Sequence, residues 1–340
     1  MAEIDESWLV PDTAAEAPLR KFAPDEMVTC AACLRANAPT RAQCLYCGAS
    51  LNQPAATMTG ETAAVEETDA NKHYVVVRAR EGQLIDDADV AQLAAKFHLK
   101  PEELGVALRT DAPLPLTSTP SKDETTKLIS EMTGAGIESA SIAFADLKTD
   151  IAHVNIRTLE FADDAVIAMS KSGGQRYVSK LTDLQLIVPG RLLMHRLEVD
   201  ERRSRTSVKP LDRRELTDDQ AVIDMYTQPS DAPWRVIAND FDFSCLGELK
   251  GLTAFDNVKA LIDLLKDRTP AEVNDSYLRL KPILTVIWPA QNTTSQSRSR
   301  RPRAGRHDFS TVTSSDNETQ FNNYSRLVWC WKRRNSTARP

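Results

Sequence analysis

The sequence predicts a multidomain α+β protein: a small four-cysteine zinc ribbon, a β-α-α-β-α-β sandwich, and a strand-rich domain closed by a helix. Three observations predict it. Two Cys-x2-Cys pairs stand close together near the amino terminus, Cys30/Cys33 and Cys44/Cys47. From His73 to Phe144, short apolar runs alternate with capped helical stretches. From residue 151 on, strand patterns dominate up to an amphipathic stretch near Phe255. At 340 residues the chain exceeds one ordinary core, so several domains are expected.

Residues 1–26 are acidic and read as a disordered tail, with Trp8-Leu9-Val10 as a docking patch. Residues 27–51 hold the cysteine unit. Residues 52–72 lack bulky apolar periodicity and read as a linker.

Residues 73–148 are expected to form the small α+β domain. Tyr74-Val75-Val76-Val77 is a strand signal. Asp86 or Asp87 can cap a helix whose apolar face holds Val90, Leu93, Ala94 and Phe97. Pro101 suits a helix start, with Glu102 and Glu103 in the first turn, where the dipole favours acid. Two prolines make Pro113–Thr117 an edge strand. Ser121-x-x-Glu124 is a capping box, Gly134-Ala135-Gly136 a stop, and Ile137–Phe144 alternates like a strand.

Residues 151–289 are expected to form the β-rich domain with terminal helices. Val154–Phe161 alternates over its whole length and Ala165–Met169 follows, with a turn at Ser172–Gln175. Leu184–Val188 reads as a strand broken by Pro189-Gly190 and resumed at Leu192–Val199. Ala221–Tyr226 and Trp234–Phe243 are two further strands. Val258, Leu261, Ile262 and Leu265 place one stripe on a helix over Phe255–Lys266. Tyr277, Leu280, Leu284 and Ile287 mark another helix, which Pro282 would kink unless it starts there. Residues 290–320 read as a basic low-complexity linker, and 321–340 as a short aromatic and basic tail that docks back on a domain.

Two of these segments carry fold-level resemblances. The order of elements over 73–146, with Leu99-Lys100-Pro101-Glu102-Glu103 and Ser121-Lys122-Asp123-Glu124 at the two helix starts, resembles the carboxy-terminal domain of the bacterial ribosomal stalk protein. That resemblance implies an open-faced α+β sandwich and nothing about ribosomal function. Antiparallel strands closed by one amphipathic helix resemble a pleckstrin-homology-type barrel.

Composition excludes several classes. Net charge is −6, so the whole molecule is not a general polyanion binder. The charge is polarised, however: residues 1–72 hold 5 basic and 11 acidic residues, and 291–340 hold 10 basic and 3 acidic. The opening six residues have no apolar run of the kind a secretory signal needs, and Ile283–Trp288 is too short to span a bilayer. A reducing cytoplasm is the expected location, where cysteines stay free for metal.

Cys30, Cys33, Cys44 and Cys47 can surround one structural Zn²⁺ as four thiolates at about 2.3 Å. Each knuckle aims two sulfurs at one point, and the metal replaces a core that so short a segment lacks. Fe²⁺ in a rubredoxin-like site is the chemical rival; there Gly usually follows each second cysteine, whereas here Gly48 follows Cys47 but Leu34 follows Cys33. The spacing Cys30-x2-Cys33-x3-Asn37-x6-Cys44-x2-Cys47 resembles the Ran-binding-protein type of zinc finger. The resemblance implies that Asn37 organises the loop between the knuckles. Val28 replaces the family's Trp, and Leu34-Arg35 replaces the Thr-Phe pair of ubiquitin readers, so ubiquitin is not the expected ligand. Arg35 and Arg41 match the cations of RNA readers, while Ala38 stands where their stacking aromatic would be.

Other groups carry less. The five histidines, His73, His98, His153, His195 and His307, show no metal-ligand spacing and read as structural. Cys245 as nucleophile with His195 as base is weighed against a buried small hydrophobe. Asp240 and Asp242 alternate as on one strand face. Arg202-Arg203-Ser204-Arg205, Lys209 and Arg213-Arg214, together with Arg298–Arg306, are basic enough to meet nucleic acid or anionic lipid. No phosphate-loop, dinucleotide or zinc-protease motif occurs. No catalytic residue is assigned. The expected function is a zinc-binding, non-enzymatic adaptor or regulator that contacts a protein partner. The alternative is a nucleic-acid-binding regulator using the ribbon and the arginine segments.

Overall fold

The computed structural model describes residues 28–29, 36–37, 72–79, 86–134, 137–172, 174–203, 208–298 and 307–337. They fall into two units, one within 10–66 and one containing everything described from Lys72 on. In the first unit, β1 (Val28–Thr29) pairs antiparallel with β2 (Ala36–Asn37), Val28 opposite Asn37. The acidic tail and the 52–72 linker expected from sequence lie outside the described residues, apart from Lys72.

In the second unit, β3 (His73–Arg78) is the centre of a three-stranded antiparallel sheet, flanked by β4 (Leu114–Thr119) and β5 (Glu138–Ala143). Three helices complete the lobe: α1 (Asp87–Phe97), α2 (Pro101–Leu108) and α3 (Lys122–Gly134). The expected β-α-α-β-α-β order is present, with the proline-containing β4 at an edge. Asp86 occupies the cap position of α1 without a side-chain capping bond. Pro101 opens α2. At α3 the capping box is half formed: Ser121 Oγ accepts from the Glu124 N–H at 3.3 Å, while Glu124 Oε2 accepts from Thr119 Oγ1 at 2.7 Å.

The second lobe is a nine-stranded sheet. Along its path lie β13 (Gln291–Arg298), β14 (His307–Asp316), β9 (Leu184–Arg203), β10 (Val208–Thr227), β11 (Trp234–Ile237), β6 (Val154–Phe161), β7 (Ala165–Ser170) and β8 (Arg176–Lys180). The ninth strand, β12 (Glu272–Val273), pairs with β9 in parallel. The path has two ends, so among the described residues the sheet is open, not the closed barrel expected from sequence.

The main reason is that β9 does not break at Pro189-Gly190. Pro189 lies past β12, whose partners are Leu186 and Ile187, and before β14, whose partners begin at Met194. No strand on that side needs its missing N–H. Asn317 fills the rest of this gap: its Oδ1 accepts from Leu193 N at 2.7 Å and its Nδ2 donates to Arg191 O at 2.9 Å. Gly190 is required by close approach, because a Cβ there would overlap the Phe321 ring.

The inner half of the sheet is buried on both faces. Ile187, Ala221, Ile223 and Met225 pack with α4 (Ala254–Arg268), which Thr253 caps through the Asp256 N–H at 3.1 Å. The four α4 residues expected to form its apolar stripe are all buried. On the opposite face Leu186, Val188, Val222 and Tyr226 pack with α5 (Tyr277–Ile287), α6 (Glu318–Thr337) and the small lobe in one continuous core. The two globular domains expected from sequence therefore share a hydrophobic core. Pro282 sits inside α5.

In the region read as a basic linker, 291–298 and 307–316 are strands: β13 pairs antiparallel with β14, which pairs with the outer half of β9. None of the described side chains of β13 and β14 is fully buried, so the Ser/Thr-rich sequence suffices. The stretch read as a short tail is the 20-residue α6. Phe321, Tyr324, Leu327, Val328 and Trp331 recur at helical spacing and are buried. Its polar groups are joined as well: Tyr226 and Ser325 hydroxyls meet at 2.8 Å, and Tyr324 Oη donates to Asn274 Oδ1 at 2.7 Å. Among the described residues, no helix is long and apolar enough to cross a membrane.

Candidate functional site

Register places Asp224 of β10 directly opposite Arg235 of β11. Arg235 Nε donates to Asp224 Oδ1 at 2.7 Å and its NH2 to Oδ2 at 2.8 Å, a bidentate pair. Both side chains are almost wholly buried, at 3% and 0% exposure. Burial alone would push the Asp224 carboxyl up; the charge and hydrogen bonds of Arg235 outweigh it and hold the group well below the usual carboxylate range. Burial likewise works against the Arg235 guanidinium, and the carboxylate reverses that and raises it.

Two further groups complete the cluster. Arg235 NH2 lies 3.1 Å from His153 Nε2 and donates to Asn322 Oδ1 at 2.7 Å. His153 Nε2 is 3.4 Å from Asp224 Oδ2. His153 Nε2 thus lies within reach of both members of the pair, and its contact with Asp224 adds to that of Arg235 in holding the carboxyl down. The Arg235 guanidinium also stands 5.3 Å from the Phe321 ring centre.

His153, Arg235, Asn322, Glu318 and Arg326 line a cleft of about 400 Å³ between α6 and the segment entering β6. Arg326 closes one wall: its NH1 donates to Lys148 O at 2.6 Å and to Leu147 O at 3.3 Å, and its NH2 donates to Ile151 O. The cleft thus offers one imidazole, one carboxylate and helix amides, and neither Cys nor Ser lines it. Its arginines are engaged with protein acceptors. The arrangement fastens α6 to β10, β11 and the 147–151 turn.

Sequence reading missed these residues, although a signal existed. Asp224, Arg235 and Arg326 each interrupt an apolar run, and a charge at a buried register position needs an internal partner.

A second feature is the outer part of the sheet. Among the described side chains at 192–200, 212–220, 291–295 and 311–316, none is buried. β13, β14 and the outer halves of β9 and β10 thus form a four-stranded arm on which no described side chain is fully covered by the described residues, and Met194 and Leu216 are exposed on it. From Met194 to Arg203 it extends roughly 30 Å at about 3.3 Å per residue.

The residues singled out from sequence are distributed as follows. Cys30, Cys33, Cys44, Cys47, Arg35 and Arg41 lie outside the described residues; Asn37 is the last residue of β2. β1 and β2, which pair antiparallel, flank Cys30 and Cys33 in the sequence, and a four-thiolate donor set is of the kind that suits Zn²⁺. Among the described residues no group of three or more His, Cys, Asp or Glu is placed to hold a metal.

Cys245 lies in a 3-10 segment, Phe243–Leu249, packed on the α4 core, and burial pushes its thiol up to about 11. His195 is on the arm, 3.2 Å from Thr217 Oγ1, so the nucleophile pairing weighed for Cys245 is not assembled. β11 ends at Ile237, before Asp240 and Asp242. Asp240 Oδ2 meets Lys171 Nζ at 2.7 Å, and Asp242 Oδ1 accepts from the Ser244 N–H at 3.0 Å. Burial also raises the Cys330 thiol to about 11, and its Sγ lies 3.0 Å from Asp146 O.

Comparison with protein-family models, curated proteins and solved structures finds no match to this chain.

Proposed function

We propose that this chain is a zinc-binding, multidomain, non-enzymatic adaptor that acts in the cytoplasm through contacts with a protein partner. The observation that carries the reading is the four-stranded arm. It buries no described side chain within this chain, yet it continues a sheet whose inner half is core on both faces. Exposed strands with apolar positions such as Met194 and Leu216 are surfaces a partner can cover.

The polar cluster supports the same reading. Asp224, Arg235 and Arg326 use their charges to join elements. In this reading Cys30, Cys33, Cys44 and Cys47 hold one structural Zn²⁺, and Asn37 orders the loop between the knuckles. The metal supplies a cross-link in place of a core. The partner is a protein other than ubiquitin.

A pull-down from native lysate tests the proposal with three full-length proteins: metal-replete wild type, Cys30→Ser/Cys33→Ser, and Met194→Asp/Leu216→Asp. Partners absent only from the cysteine variant assign recognition to the ribbon, and partners absent only from the arm variant assign it to the arm. A partner set identical in all three overturns the proposal.

A further inference from the structure

Arg326 is a buried cation with no buried anion beside it. Its side chain is 3% exposed and lines the cleft at the start of α6. Three backbone carbonyls accept from its NH1 and NH2, and among the described residues no carboxylate pairs with it. Carbonyls satisfy the hydrogens but do not cancel the charge, and a buried charge is costly without an opposite one.

The neighbouring cluster supplies no spare anion. Asp224 is committed to Arg235 in the bidentate pair. Glu318 stands on the exposed side of the cleft, 3.5 Å from Arg235 NH1. With His153 neutral, the buried charges are two guanidinium groups against one carboxylate, so one positive charge is left over.

Asn323 is an independent sign of the same vacancy for an acceptor. It is 4% exposed and lines the cleft, yet its amide makes no hydrogen bond among the described residues. Buried amides nearly always have partners. Arg235 adds a further donor: its Nε and NH2 are occupied by Asp224, His153 and Asn322, while NH1 meets only the Glu318 carboxylate. Donors from three buried side chains thus border one space, beside the amino-terminal part of α6, where the helix dipole favours negative charge.

The lining sets the kind of ligand. About 400 Å³ lies at the small end of the range for small-molecule sites, about 300–1,000 Å³. Only Ile151 and Ala152 are apolar there, and no Phe, Tyr or Trp lines it, so neither an acyl chain nor a stacked base is served. The exposed Thr149 and Asn155 add a hydroxyl and an amide that suit ligand hydroxyl groups.

We infer that this cleft binds a small hydrophilic oxyanion, a carboxylate or phosphate carried on a hydroxylated body, as the counter-ion of Arg326. Glu318 is the resident carboxylate that the incoming anion displaces from Arg235 NH1. The occupied site adds to the hold of α6 on β11 and the segment entering β6. It is separate from the arm and the cysteines that serve the protein partner proposed above.

Isothermal titration calorimetry on the full metal-replete chain tests it with gluconate, glucose 6-phosphate, inorganic phosphate and glucose, against sodium chloride of equal ionic strength. Gluconate or glucose 6-phosphate should bind one to one and more tightly than inorganic phosphate, and which of the two binds assigns the anionic group. Glucose should not bind. Asn323→Asp places a carboxylate three residues before Arg326 on α6. It should weaken oxyanion binding about tenfold or more while raising the melting temperature of the ligand-free chain. Glu318→Gln removes the competing carboxylate and should tighten binding, which keeps the inference open to refutation if Asn323→Asp does not fold. No binding of any probe, glucose binding as tightly as its phosphate, undiminished binding in Asn323→Asp, or weaker binding in Glu318→Gln would overturn the inference. Binding is read here on the purified chain and partner capture in lysate, so either proposal can fail while the other stands.

Discussion

Trp288 Nε1 donates to the Tyr74 hydroxyl at 2.9 Å, joining residues 214 positions apart. The two rings meet edge to face, with centroids 5.2 Å apart and planes at 70°. This contact ties the small sheet to the end of α5 inside the shared core.

Tyr74→Phe removes the acceptor and leaves a buried indole N–H without its partner. A loss of about 1–3 kcal/mol is expected. In urea, indole fluorescence and far-ultraviolet circular dichroism should report one coincident transition for both lobes. Two separated transitions would show that the lobes fold independently.

Gly190→Ala should destabilise by about 1–3 kcal/mol through overpacking, since the new methyl would strike the Phe321 ring. Phe321→Leu in the same chain should recover part of that loss. A double-mutant cycle with no coupling would rule out this clash as the cause.

Asp224→Asn leaves the buried Arg235 with only the exposed Glu318 carboxylate, 3.5 Å from its NH1, as counter-ion, and about 3–5 kcal/mol should be lost. The folded-state pKa of Asp224 lies below its unfolded value, near 3.9. Its contribution is therefore complete above that value and is lost as pH falls below it. Denaturant midpoints measured between pH 3 and pH 7 should fall toward acid in the wild type, and less steeply in Asp224→Asn. Equal slopes would mean that other carboxylates set the acid sensitivity.

Arg326→Lys should behave as a loss of function at the 147–151 turn. One ammonium cannot reproduce the planar fork that reaches the carbonyls of Leu147, Lys148 and Ile151. Amide exchange should speed up over residues 147–153, with a smaller change in β7 and β8. Unchanged exchange there would leave the clasp without effect.

The six thiols should separate into two classes. Burial holds the Cys245 and Cys330 thiols high, so both should alkylate slowly at pH 8 in the native chain. The four ribbon cysteines should be protected by one equivalent of zinc and react once a chelator removes it. Metal analysis that finds neither zinc nor iron, or fast alkylation of the ribbon before chelation, would remove the metal from the proposal.

How legible the fold was in the sequence depended on how local its determinants are. The small lobe could be read because Pro101, Ser121 and the alternation over residues 138–143 act within a few residues of themselves. The α4 stripe could be read for the same reason. The 20-residue β9 could not, because Pro189 signals a break unless one knows that no strand pairs with it on the side away from β10 and that Asn317 bridges the gap there from far along the chain. The Ser/Thr-rich β13 resembled a linker because its partner is the polar β14, and none of the described side chains of either strand before Asn317 is buried. In the polar cluster, single charges within apolar runs were visible, but their pairing is set by strand register.

The position of α6 also constrains how the protein is made. Every strand that α6 covers is synthesised before it, so on the ribosome the inner sheet face lacks the α6 part of its cover until residue 337 has left the exit tunnel. Translation that halts between β14 and α6 yields a chain with a large oily face in water, a substrate for chaperones and proteases. Synthesis of α6 is therefore the step that completes this core.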